Sequence, residues 1–78
     1  MTKVDLQKAQ KAQEIAVAEF GFVSTSTMYK MKLAEQRTYA IRVGATEEQV
    51  AKLKGFYLRR LIEELVSAKF EEIIARGL

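Results

Sequence analysis

Residues 46–78, TEEQVAKLKGFYLRRLIEELVSAKFEEIIARGL, decide the fold. On a helix advancing about 100° per residue, Leu53, Tyr57, Leu61, Leu65 and Ala68 form one stripe, and Leu58, Ile62, Val66 and Ile73 form a second beside it. Together they span roughly 200° of the circumference, against about 100° for an ordinary surface helix. The remaining arc holds Arg59, Arg60, Glu63, Glu64, Ser67 and Glu71. The segment is therefore an amphipathic helix that needs a soluble partner, not a membrane span, which takes about 20 consecutive apolar residues.

Seventy-eight residues make a single domain, 1–78, with one modest core. A chain this short buries only about 60% of its unfolded surface. The expectation is that copies meet through the second stripe, with Leu58, Ile62, Val66, Phe70 and Ile73 as the contact, giving a homo-oligomer and most simply a dimer. In the alternative, both stripes pack inside one chain against two other helices.

Punctuation upstream is sparse, with no proline and glycine only at 21, 44, 55 and 77, so the elements are few and long. A first helix is predicted from about Lys3 to Phe20, with Thr2 as N-cap, Leu6, Ala9, Ala16, Val17 and Phe20 on one face, and a stop at Gly21. Ser24-Thr25-Ser26-Thr27 reads as a polar loop in which Ser26 or Thr27 caps the next helix. Between Met28 and Val43, alternation of Tyr29, Met31, Leu33 and then Tyr39, Ile41, Val43 with polar residues has the period of a β-hairpin. The intervening Ala34-Glu35-Gln36-Arg37 is built of helix formers and lacks the Gly, Asn or Asp of tight hairpin turns, so a helix is preferred. Gly44 sits where a left-handed residue ends a helix, and Thr46 with Gln49 forms a capping box that starts the next, with Glu47 and Glu48 complementing its dipole. The predicted fold is mainly α: helix, polar loop, helix, tight turn, and a long C-terminal helix bent near Gly55. The alternative is α+β, with a hairpin at about 28–43.

Composition excludes several chemistries. Half the chain is hydrophobic and 29% is charged, which is a folding composition. Cysteine is absent, so disulfides, thiolate nucleophiles and zinc–thiolate clusters are ruled out, and so is histidine, the commonest general base and transition-metal ligand. Asparagine is absent as well, which removes N-linked glycosylation. No charged segment followed by an apolar run opens the chain, and the expected location is cytoplasmic. Glu63-Glu64 and Glu71-Glu72 are adjacent pairs whose side chains diverge by about 100° on a helix, so neither converges on a substrate as acid and base. Four separated glycines draw no phosphate loop or dinucleotide fingerprint. Asp5 is the sole aspartate, and no oxygen-rich metal loop exists. The chain is expected to act without a cofactor or metal and not as an enzyme. Favourable i, i+4 pairs are expected between Glu48 and Lys52 and between Glu72 and Arg76.

Two features bear on partners. Ala40, Gly44, Val50 and Leu53, with Tyr39 and Val43 before the turn, resemble the apolar and glycine spacing of helix-turn-helix DNA-binding units over about twenty residues, around 36–54. That resemblance implies that the second helix would meet base edges in the major groove. Glu47 and Glu48 stand at that place and depart from the pattern, since carboxylates face phosphates unfavourably. Charge is also uneven: residues 28–60 carry Lys30, Lys32, Arg37, Arg42, Lys52, Lys54, Arg59 and Arg60 against Glu35, Glu47 and Glu48. Eight cations against three carboxylates give this middle part a formal +5, and such a patch can bind a phosphate backbone by releasing counterions. Phe56-Tyr57 beside Arg59-Arg60 offers stacking surface to an unpaired base, although Tyr57 also falls on the main apolar stripe and is then core. The function expected first is a non-enzymatic helical interaction module that self-associates and binds a protein partner. The alternative is a small basic DNA-binding regulator presenting those eight cations. No lysine-rich flank accompanies the wide apolar face, so a membrane partner is not expected.

Overall fold

The computed structural model describes residues 2–77. It is mainly α, with α1 at Lys3–Phe20, α2 at Thr25–Lys30, α3 at Leu33–Arg42, α4 at Glu47–Ala51 and α5 at Gly55–Ile74. Among the described residues no strand occurs, so the hairpin alternative at 28–43 falls away.

Local backbone chemistry sets the ends of α1 where the sequence placed them. Thr2 Oγ1 accepts from Asp5 N–H (3.2 Å) and the Asp5 carboxylate accepts in return from Thr2, bonds that hold the Asp5 pKa below the ordinary aspartate value. The helix stops at Gly21. Its inward face differs from the expected one: Ala12 and Ala16 are fully buried, while Leu6 and Val17 stay about half exposed. Small side chains let a neighbouring helix approach closely, and that approach selects the alanine stripe over the bulkier residues beside it.

The predicted second helix is two helices. Ser24 caps α2, accepting from Thr27 N–H (3.2 Å), so Thr25, Ser26 and Thr27 belong to a helix and not to a loop. Met31 and Lys32 are extended (ψ 146 and 161) and separate α2 from α3, and Lys32 N–H donates to Glu35 Oε1 (3.2 Å) at the new helix start. The α3–α4 junction forms as expected. Ala45 N–H donates to Ala40 O (2.9 Å) and Gly44 N–H to Ile41 O (3.0 Å), the paired bonds of a Schellman ending, with Gly44 at φ 122 where a Cβ would be strained. The Thr46–Gln49 capping box is complete, with Gln49 N–H donating to Thr46 Oγ1 (3.1 Å) and Thr46 N–H to Gln49 Oε1 (2.9 Å).

The long C-terminal helix is broken rather than bent. It stops after Ala51, and Lys54 is extended (φ −156, ψ 162) before Gly55 opens α5 at φ 60. The i, i+4 pairs expected at Glu48–Lys52 and Glu72–Arg76 do not form. Glu72 instead meets Lys69 (3.4 Å), and Arg76 reaches across to Glu19 on α1 (2.8 Å).

Helix α5 is the centre of the molecule, with α1 and α3 both packed on it and α4 folded back on α3. Leu58, Ile62 and Ile73 are 0–1% exposed and join Ala12, Ala16, Met28, Tyr39, Ala40, Val43 and Val50 in one core. Burying each such aliphatic side chain contributes about 1.5–3 kcal/mol before ordering costs. The loop after α1 is tied in by Val23 N–H, which donates to the Tyr39 hydroxyl (3.3 Å).

This arrangement corrects the placement of the expected self-association surface. Leu58, Ile62 and Ile73 lie inside their own subunit and Val66 and Phe70 are partly covered, because α1 and α3 both pack on α5, whereas Tyr57 and Ala68 of the first stripe are exposed. Three of those five side chains are core, and the other two pack against it.

Candidate binding surface

The first turn of α5 is unevenly covered: Leu58 is fully buried, whereas Phe56 and Tyr57 beside it are not. They are 62% and 70% exposed, their rings 5.7 Å apart at 75°. Tyr57 therefore leaves the apolar stripe that sequence periodicity assigned to the core. Across from this pair stand Tyr29 at the end of α2 and Leu33 at the start of α3, 52% and 40% exposed. Together with Met31, Gln36, Lys54 and Arg59 these residues line an open groove of about 650 Å³.

Two adjacent residues of α3 fix the two walls of the groove. Gln36, buried at 4% exposure, donates from Nε2 to the Met28 carbonyl (3.1 Å), which holds the last turn of α2 and hence Tyr29. Arg37 donates from Nε to the Val50 carbonyl (3.1 Å) and from Nη2 to the Leu53 carbonyl (3.3 Å), which satisfies the end of α4 and anchors the strand of backbone leading to Gly55. On the floor, the Arg59 guanidinium lies over the Tyr29 ring, 5.0 Å from its centroid, and the Tyr29 hydroxyl donates to Glu63 Oε1 (3.2 Å).

The eight cations expected to form a basic surface have different fates. Arg37 is consumed in the backbone bonds just described. Arg42 lies over Gly21, with Nη1 2.8 Å from where a Cβ on that glycine would stand. Arg59 stacks on Tyr29, and Arg60 faces Glu64 at 3.6 Å with both side chains 67% exposed, a contact worth at most about 1 kcal/mol. Lys30, Lys32, Lys52 and Lys54 make no ion pair among the described residues. These four form two Lys-apolar-Lys segments, one on each side of the groove in the chain order.

The helix-turn-helix spacing has a packing outcome. Tyr39, Ala40, Val43 and Val50 are buried and Leu53 is partly so, which makes a tight α3–α4 hairpin. Helix α4 has five residues, roughly 7.5 Å of helix at 1.5 Å per residue, and begins with the exposed carboxylates Glu47 and Glu48. That is a short and acidic element to lay along a major groove.

Among the described residues no cluster of carboxylates could hold a metal ion, and no helix is long and apolar enough to cross a membrane. Tyr29 and Leu33 were not singled out by sequence as site residues. The sequence signals pointing to this end of the molecule were the aromatic pair at 56 and 57 and the cations Lys30, Lys32, Lys54 and Arg59. No protein-family model, curated protein or solved structure matches the chain.

Proposed function

We propose that this protein is a non-enzymatic interaction module that binds another protein through the groove between Tyr29–Leu33 and Phe56–Tyr57. The observation that carries this reading is the exposure of two tyrosines, a phenylalanine and a leucine around one concave patch, while the other exposed large apolar residues, Val4, Leu6, Val17, Ile41 and Ile74, line no such groove. Clustered, exposed large apolar residues mark interaction sites, whereas scattered ones do not. Tyr, Phe, Met and Arg are also the residue types enriched at the centres of protein interfaces. Phe and Tyr side chains bury about 150–250 Å² each when covered, and a handful of such anchors supplies most of the energy of a typical interface.

Duplex recognition through the α3–α4 hairpin has less support, since α4 is short, starts with two glutamates, and Arg37 points its donors at the protein's own backbone. Self-association through Leu58, Ile62, Val66, Phe70 and Ile73 would require opening the core.

The test compares proteins retained by the immobilised wild-type chain with those retained by the Phe56→Ala/Tyr57→Ala double variant, both shown folded by circular dichroism. The expected result is a specific protein held by the wild type and weakened by at least about tenfold in the variant, the loss that truncating an interface anchor produces. Identical retention by both chains would remove the groove from the binding surface.

A further inference from the structure

We infer that the segment recognised by the groove is acidic: a polypeptide stretch in which carboxylates flank apolar side chains. This rests on the reading of the groove as a protein-binding site and adds the chemistry of the partner. The charged residues that line the groove, Lys54 and Arg59, are both cationic, and the nearby Glu63 carboxylate is engaged by the Tyr29 hydroxyl rather than lining it. Neither is neutralised by an ion pair among the described residues, and the same holds for Lys30 and Lys32, which bracket Met31 at its edge. An apolar partner without acids would leave these charges facing its surface uncompensated, and a basic one would be repelled. Complementary charge steers encounter and rejects wrong partners.

A nucleic acid would also satisfy the charge, but the aromatic geometry fits it poorly. One face of Tyr29 is occupied by the Arg59 guanidinium and its hydroxyl is engaged by Glu63, so it offers little stacking surface. Phe56 and Tyr57 meet edge to face at 75°, not as parallel platforms for successive bases. Met31 and Leu33 add aliphatic surface that suits side chains rather than base faces.

The experiment follows amide shifts of the isotope-labelled full chain on titration with three probes: a random copolymer of glutamate and tyrosine, a copolymer of lysine and tyrosine, and oligothymidylate. The acidic copolymer is expected to move the amides of residues 29–33 and 54–59, with affinity falling severalfold between about 50 and 200 mM salt. Lys54→Glu should weaken it by about tenfold, and the lysine copolymer should leave the groove unmoved. Equal shifts from the two copolymers, no shift from either, or an unchanged affinity in Lys54→Glu would each overturn the acidic-partner inference. The protein-binding reading would then stand or fall separately on the double-variant comparison. Tighter binding of oligothymidylate at the same amides would overturn both and identify the partner as single-stranded nucleic acid.

Discussion

The two ends of α5 carry comparable amounts of apolar side chain and treat it in opposite ways. Toward the C-terminus, Ile73 is fully buried and Phe70 partly so, and α1 holds that end with Lys69 over the Phe20 ring (5.1 Å) and Arg76 on Glu19. At the N-terminus, Phe56 and Tyr57 are largely open to solvent although Phe56 is as large as Phe70 and Tyr57 larger than Ile73. The difference lies in what neighbours each end, not in hydrophobicity. Helix α1 supplies Ala12 and Ala16, whose small size lets α5 come close, whereas at the opposite end the cover reaches Leu58 but not the two aromatics before it. The contrast teaches that the aromatic pair is surplus to the core, and surplus exposed aromatic surface is what a partner can use.

The sharpest way to break this comparison is to damage the closed part. Ile62→Glu would place an unpaired carboxylate where the side chain is 1% exposed, at a cost of at least about 3–5 kcal/mol. Small domains have only roughly 5–15 kcal/mol of stability in total. The variant should lose most of its cooperative urea transition, as followed by circular dichroism. A variant that stays folded and merely changes its mass in light scattering would mean that Ile62 faces outward after all. Next in size is Arg37→Met, which keeps the aliphatic stem but removes the donors to the Val50 and Leu53 carbonyls. It should cost about 1–3 kcal/mol in urea unfolding and shift the amides of residues 53–57, and an unaltered unfolding midpoint would show that solvent serves those carbonyls equally well. Smallest is the open end itself. Phe56→Ala and Tyr57→Ala should each change stability by no more than about 0.5 kcal/mol, so a loss comparable to that from a core truncation would show that these rings are packed within the fold.

Much of the fold was legible because it is written in local backbone chemistry. The limits of α1, the Gly44 turn and the Thr46–Gln49 capping box each depend on residues within a few positions of one another, and each formed as read. The break at Met31-Lys32 was not legible, since neither glycine nor proline marks it. It is supported from a distance by Gln36, whose amide donates to the Met28 carbonyl alongside Met31 N–H. Periodicity found both stripes of α5, but it reports the angle of a side chain about its axis and not the number of helices that arrive to cover it. Two arrived, so the second stripe became core. For the same reason Tyr57, in register with Leu61 and Leu65, was assigned to the interior: the cover lies over the Leu58–Ile62–Ile73 side of α5, and Tyr57 and Ala68 of the first stripe are left exposed. The groove was the least legible part, because its walls come from α2, α3 and α5 and meet only in three dimensions.

Gln36 and Arg37, side by side on one helix, grip opposite banks of that groove before any ligand arrives. Loop ordering is a large share of what association ordinarily costs. Under the proposed function, a cleft already braced by contacts to its own main chain has little such entropy left to surrender, so capture would be governed by collision and charge, and the lifetime of a complex by how well the visitor fills the space between the rings.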